Sequence, residues 1–246
     1  MGGFGYPRLF AHRGGGALAP ENTLAGIRLA ARLGFRGVEF DVMLSADGIA
    51  VLIHDEALSR TTDGAGEVAS TPYAELSRLD AGSRFHSAFG GEPVPRLEAA
   101  LACCARLGLV ANVEIKPAAG LAGETGRIVG NSVVCGEPGA VLLSSFSEAA
   151  LAAARSLAPA VPRALLFEAP PPDWRERLSG LECLALHCAA RYLSLELAAA
   201  LRAAGIPFAC YTVNDRAAAA DLYAAGAAAL FTDRLDLFDP RNPDGS

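Results

Sequence analysis

Short apolar and β-branched runs alternate with Ala/Leu-rich stretches along the whole chain. The runs 8–12 (RLFAH), 37–42 (GVEFDV), 110–115 (VANVEI), 141–145 (VLLSS), 163–167 (RALLF), 183–187 (CLALH), 207–213 (PFACYTV) and 229–232 (ALFT) read as strands. Between them, 23–33, 96–107, 147–157, 194–204 and 215–225 read as helices, several stopped by a glycine such as Gly34, Gly108 or Gly205. Strand–helix alternation implies βα units around a parallel sheet. Eight such units in a chain of 246 residues predict an α/β fold of the (β/α)8 TIM-barrel type. An open doubly wound sheet would carry a G-x-G-x-x-G turn after its first strand, and none is present.

Two segments break the alternation. Residues 43–54 (MLSADGIAVLIH) read as strand, Asp47-Gly48 turn, strand. A two-residue turn there pairs Ala46 with Ile49, sets His54 opposite Asp41 and makes 49–54 an antiparallel arm outside the barrel. Residues 55–95 are polar, rich in Gly, Ser and Thr, and predict a loop insertion after this hairpin in a single unit spanning 1–246. The tail 236–246 (DLFDPRNPDGS) reads as frayed.

Composition narrows the function. A net charge of −6 excludes a broad electrostatic grip on nucleic acid or an anionic membrane, though not a small anion site. With 52% hydrophobic and 20% charged residues the chain is not generally disordered. Cys103, Cys104, Cys135, Cys183, Cys188 and Cys210 form no CxxC, and most sit in apolar stretches as small buried hydrophobes. The N-terminal stretch MGGFGYPRLFAHRGGG lacks an apolar targeting core, and no apolar run reaches membrane-spanning length, so a soluble cytoplasmic protein without stable membrane association is expected.

Polar residues collect at the C-terminal ends of the predicted strands, where barrel enzymes keep their sites. His12-Arg13-Gly14 ends the first. Glu39 and Asp41 lie two apart on the second, and Glu114 and Lys116 two apart on the third, so each pair shares a face. Three carboxylates converging on one rim ionise cheaply only around a cation, and an all-oxygen donor set suits Mg²⁺ or Ca²⁺. His12 and His54, each beside a charged residue, supply a candidate acid/base pair, while Arg13 and Lys116 supply positive charge for a phosphate. His86 lies in the insertion, and His187, ending the strand CLALH, could line the barrel mouth or equally pack there, so both carry less weight.

AHRGGGALAPENTLAGI, GVEFDVMLSADGIAVLIHDEALSRTTDGAGEV, NVEIKP, LLSSF, YTVN and LFTD together resemble the glycerophosphodiester phosphodiesterase family over about residues 6–240, closest to its cytosolic bacterial members. H-R-G with P-E-N-T, then E-x-D, D-G-x-x-x-x-x-H-D and E-x-K in order form a specific series. The resemblance implies a barrel with a small insertion after the second histidine and a divalent cation on Glu39, Asp41 and Glu114. It also implies His12 and His54 as acid and base. Arg13, Lys116 and Glu21 would bind a small-molecule glycerophosphodiester, with Glu21 and Asn22 on the P-E-N-T element of the first loop. The expected reaction is hydrolysis to glycerol 3-phosphate and an alcohol, with water or the glycerol 2-hydroxyl as nucleophile. A phospholipase D-like lyase stopping at a cyclic phosphate, and a binding module without turnover, are the competing readings. The intact histidines and carboxylates argue against the second.

Overall fold

The computed structural model describes residues 5, 7–135 and 140–242. Eight parallel strands close on themselves: β1 (Leu9–Ala11) pairs with β2 (Gly37–Leu44) on one side and β9 (Ala229–Thr232) on the other. From β2 the sheet runs through β4 (Val110–Ile115), β5 (Val141–Ser145), β6 (Arg163–Phe167), β7 (Ala185–Ala189) and β8 (Phe208–Tyr211) to β9. The ninth strand, β3 (Ala50–Leu52), is an antiparallel arm on β2. Every residue of β2, β6 and β7 is buried, the pattern of strands covered on both faces. The outer layer is α1 (Leu24–Arg32), α3 (Leu97–Leu107), α4 (Ala122–Cys135), α5 (Glu148–Leu157), α6 (Trp174–Leu181), α7 (Leu195–Ala203) and α8 (Arg216–Ala224). The short helix α2 (Tyr73–Leu76) lies in the excursion after β3. Among the described residues no helix is long and apolar enough to cross a membrane.

Helices α4 and α6 carry too little apolar periodicity to be picked out from sequence. The α4 stretch AGETGRIVGNSVVC is glycine-rich, and packing explains it. A Cβ at Gly126 would lie 2.2 Å from Ala150 O, so the glycine lets α4 approach α5 closely. Strand β7 starts two residues later than expected, because Glu182 ends α6 in the left-handed region (φ 52) and the apolar run CLALHCAA marks no start of its own. The tail is not frayed as far as it is described. Leu235 and Phe238 are buried in the main core, and Leu237 O accepts from Arg216 Nε at 2.5 Å. Residues 243–246 of that tail, and 1–4 and 6 of the N-terminal stretch, lie outside the described residues.

The hairpin forms, but one residue out of the expected register. Leu44 pairs with Ala50 and Val42 with Leu52, and Ile53 N donates to Asp41 O at 3.1 Å, so Ile53 and not His54 faces Asp41. A two-residue type I′ turn needs φ > 0 at both central residues, and here only Gly48 (φ 75) takes it. The loop instead holds three residues, with Gly48 N donating to Ser45 O at 3.0 Å and Ser45 N to Ile49 O at 2.9 Å. Ser45 Oγ donates to Asp47 Oδ1 at 2.6 Å and accepts from Ile49 N at 2.9 Å, which fixes the wider loop.

Beyond the hairpin, Met43, Val51 and Ile53 join Leu58, Val68, Leu76 and Val94 in a second, smaller core. Asp80 organises the far side of this excursion: its carboxylate accepts from the backbone N–H groups of Gly82, Ser83 and Gly91. The excursion is therefore folded onto the outer end of β2 and β3.

Candidate active site

At the C-terminal end of the barrel, residues from β1, β2, β4 and the bend after β3 surround one cavity of about 430 Å³. His12, Arg13, Glu39, Asp41, His54, Glu114 and Lys116 all line it. Glu21 does not. Its carboxylate is turned to Arg13 Nη1 (3.1 Å) and to Arg60, so it supports the site from behind rather than facing a substrate.

The loop after β1 is shaped by backbone that most residues avoid. Arg13 (φ 52), Gly14 (φ 81), Gly16 (φ 53) and Asn22 (φ 55) are all left-handed. At Gly16 a Cβ would sit 2.4 Å from Asp233 O, so the loop can lie against the end of β9 only with glycine there. The tight path aims Arg13 N at Glu39 Oε2 (2.9 Å) and locks Asn22 onto Asp41. Asn22 Nδ2 donates to Asp41 Oδ2 at 2.9 Å, and Asn22 Oδ1 accepts from Asp41 N at 3.0 Å.

Parallel pairing sets the carboxylates. Asp41 is the register partner of Glu114 and Glu39 that of Asn112, so the acids of two adjacent strands share one face. Glu39, Asp41 and Glu114 each offer an oxygen, all within 4.8 Å of one another. Burial, then the charges of Asp41 and Glu114, push the Glu39 carboxyl well above the usual carboxylate range. Burial, then Asp41, push Glu114 up to about 8. Glu39 Oε1 is buried without a hydrogen-bond partner. A donorless buried oxygen beside two further carboxylates fits a hard divalent cation, which takes oxygen ligands and removes the repulsion that raises these carboxyls.

Two of the cavity histidines, His12 and His54, have an aspartate on Nδ1. His12 Nδ1 lies 2.7 Å from Asp233 Oδ1, and Asp233 Oδ2 accepts from Asn214 Nδ2 at 3.0 Å. His54 Nδ1 lies 2.5 Å from Asp55 Oδ1, and Lys116 Nζ contacts His54 Nε2. An ammonium only donates and a carboxylate only accepts, so the partners of His54 select the tautomer protonated at Nδ1. Burial, helped by Arg13 and Lys116, outweighs Asp41 and Asp55 and lowers the His54 pKa, which keeps the ring neutral. His54 reaches the cavity although the hairpin is out of register, because the ladder stops at Leu52, Ile53 enters the second core and the chain bends at His54. Lys116 Nζ and Arg13 Nε lie 3.9 Å from the two oxygens of Asp41, one on each side.

Of the other two histidines, His187 also lines the cavity and His86 lies away from it. His187 is buried under the cavity with its ring 5.1 Å from that of Phe231, and burial lowers its pKa to about 3. His86 Nδ1 accepts from Ala88 N and caps a turn of the excursion. Sequence reasoning missed Asp233, Asn214 and Arg60 as parts of the site. The first two sit in the LFTD and YTVN elements, which carry the resemblance without stating a role, and Arg60 sits in the polar excursion. Opposite the carboxylates the cavity wall changes to Phe146, Leu166, Tyr211 and Phe231, with Glu168 and Arg191 paired at the mouth.

An all-oxygen acidic cluster faced by an arginine and a lysine has the donors for a hard cation beside the charges for an anionic group, the combination that suits chemistry on a phosphate ester. Comparison with known proteins narrows that class. The Glycerophosphoryl diester phosphodiesterase family model matches residues 12–237, and the chain belongs to that family of enzymes. It is 39% identical to an Oleispira antarctica phosphodiesterase solved in complex with the product sn-glycerol-3-phosphate (TM-score 0.93, covering 98% of this chain and 97% of that one). It is 31% identical over 227 residues to the glycerophosphodiester phosphodiesterase of Caldanaerobacter subterraneus, covering 92% of this chain and 93% of the relative. The Agrobacterium tumefaciens glycerophosphodiester phosphodiesterase structure is 30% identical, with a TM-score of 0.78 and coverage of 94% and 98%.

Proposed function

We propose that this chain hydrolyses a glycerophosphodiester, a small-molecule substrate, to glycerol 3-phosphate and an alcohol in the cytoplasm. The observation that carries the reading is one cavity holding three clustered carboxylates, two aspartate-backed imidazoles and two cationic side chains. The product complex of the Oleispira relative supports it. On this reading residues 1–246 act as one phosphodiesterase unit in which the 55–95 excursion meets the site through Asp55 on His54 and Arg60 on Glu21.

Glu39, Asp41 and Glu114 would hold one divalent cation, Mg²⁺ or Ca²⁺, which when bound supplies positive charge to the phosphate. Arg13 and Lys116, flanking Asp41, bind and orient the phosphoryl oxygens from either side. His12 and His54 each have Nδ1 engaged by an aspartate, so Nε2 is the nitrogen that moves the proton, at His54 in exchange for its contact with Lys116. One takes it from the attacking hydroxyl and the other returns one to the departing alcohol, a pair of transfers worth about 10²–10⁴ each in rate. Glu21 keeps Arg13 extended toward the cavity.

The test is direct. Purified protein incubated with glycerophosphocholine is expected to release glycerol 3-phosphate, and EDTA is expected to stop it. Absence of product with either Mg²⁺ or Ca²⁺ added would overturn the reading, and accumulation of a stable cyclic phosphate would favour the lyase.

A further inference from the structure

Arg60 performs none of the steps above, yet its contacts reach two residues that do. The second core fixes its backbone. Arg60 ends the short turn Leu58–Arg60, Leu58 is buried in that core, and Thr62 Oγ1 donates to Leu58 O at 2.8 Å. From there the guanidinium faces two carboxylates at once. Nη1 and Nη2 donate to the two oxygens of Glu21, both at 2.8 Å, and Nε donates to Asp55 Oδ2.

Followed outward, these contacts close on themselves. Glu21 Oε1 accepts from Arg13 Nη1 at 3.1 Å, and Arg13 Nε lies 3.9 Å from Asp41 Oδ2. Asp41 Oδ1 lies 3.9 Å from Lys116 Nζ, which contacts His54 Nε2. His54 Nδ1 lies 2.5 Å from Asp55 Oδ1, and Asp55 returns to Arg60. Charges alternate along most of this ring, and Arg60 is its member furthest into the 55–95 excursion.

We propose that Arg60 is a positioning residue that fixes His54 through Asp55 and Arg13 through Glu21, tying the excursion to the reacting groups. The inference rests on the functional reading above. Asp55 is the residue next to His54 in a bend, and nothing else among the described contacts holds its second oxygen. Without the guanidinium its carboxylate rotates freely, and the imidazole loses the acceptor that keeps the proton on Nδ1. Lysine cannot substitute. Its point charge meets one carboxylate at a time, whereas the planar fork of arginine holds Glu21 by two bonds and still presents Nε to Asp55. The Arg60 side chain is 43% exposed, so these ion pairs add little to folding stability, and their effect falls on geometry.

The experiment uses the full chain with its cation and glycerophosphocholine. Arg60→Met is expected to lower kcat about 10–100-fold, the penalty for reacting groups displaced by about an ångström, with a smaller change in KM. Arg60→Lys should recover less than about threefold of that loss. Because Arg60 acts through its two carboxylates, Arg60→Met placed on an Asp55→Asn/Glu21→Gln background should add less than about threefold. Imidazole ¹⁵N NMR reads the same effect without turnover: the chain has four histidines, and Arg60→Met should move the two His54 nitrogen signals toward each other as the tautomers mix. Unaltered His54 signals, full recovery in Arg60→Lys, or a further loss above about tenfold on the double background would overturn the assignment. If the wild-type protein fails to cleave glycerophosphocholine, the functional reading falls, and the NMR arm still decides the role of Arg60.

Discussion

Asn22→Ala tests how much of the site depends on a residue that never faces the cavity. Asn22 is 3% exposed and makes two hydrogen bonds to Asp41, one to the carboxylate at 2.9 Å and one from the backbone N–H at 3.0 Å. Loss of the charge-assisted bond costs about 1.5–3 kcal/mol, and leaving the Asp41 N–H buried without an acceptor costs about 1–3 kcal/mol. Alanine at φ 55 adds about 1 kcal/mol that asparagine avoids. The terms overlap, so the expected destabilisation is about 3–5 kcal/mol. For a chain of 246 residues, at about 2–4 °C per kcal/mol, Tm falls by roughly 6–20 °C. Calorimetry in EDTA measures it. Asn22→Gly should recover only the backbone share, about 1 kcal/mol. Asp41 is also freed to rotate, so titration calorimetry should show cation affinity lowered about 10–100-fold, as for other lost partners of metal ligands. A Tm within about 3 °C of wild type, less than the shift of a single lost hydrogen bond, would refute the reasoning.

Three further outcomes follow from the carboxylates and their cations. Asp41→Ala, or EDTA on the wild-type protein, should abolish turnover of glycerophosphocholine while circular dichroism shows the fold retained, and full activity in either case would sink the cation site. Lys116→Met should lower kcat more than it raises KM if Lys116 meets the phosphate in the transition state, and a pure KM effect would mean uniform binding instead. Glu114 has its carboxyl raised to about 8 in the folded chain against an ordinary value of 4.5. Its stabilising contribution is therefore complete below about pH 4.5 and lost as pH rises through about 8. In EDTA, the Tm difference between wild type and Glu114→Gln should shift against wild type from pH 5 to pH 8, and Mg²⁺ or Ca²⁺ should rescue wild type most at the alkaline end.

The barrel was legible because all eight of its strands are apolar runs and several of the helices between them are Gly-stopped. The acids embedded in GVEFDV and VANVEIK were legible because period-two alternation tells which residues share a face, and the structure brings them together. Register was not. The Asp47-Gly48 dipeptide marks a turn, but whether Gly48 is its second or third residue depends on Ser45 bridging Asp47 and Ile49, a contact that spacing does not encode. Helix α4 escaped because its glycines serve contact with α5, which lies outside its own sequence. Arg60 escaped for a related reason: its partner Glu21 lies 39 residues away in the loop after β1, and only the folding of the excursion on its own small core brings Arg60 to it.

Closure of the barrel by β1 on β9 has a consequence for how the protein comes into being. Leu9 pairs with Leu230 and Ala11 with Thr232, and the Asp233 carboxylate that holds His12 follows directly. A ribosome adding about 5–20 residues per second therefore releases β2, its hairpin and all three acidic side chains many seconds before β9 appears. Until then β1 has an unpaired edge, His12 has no fixed tautomer, and the nascent chain exposes strand surface to its neighbours. Activity thus switches on only once β9 has been made, in one event that seals the sheet and completes the first histidine together. A chain stopped short of β9 would be inactive and aggregation-prone for the same reason, so yield and activity should be lost together across a series of C-terminal truncations.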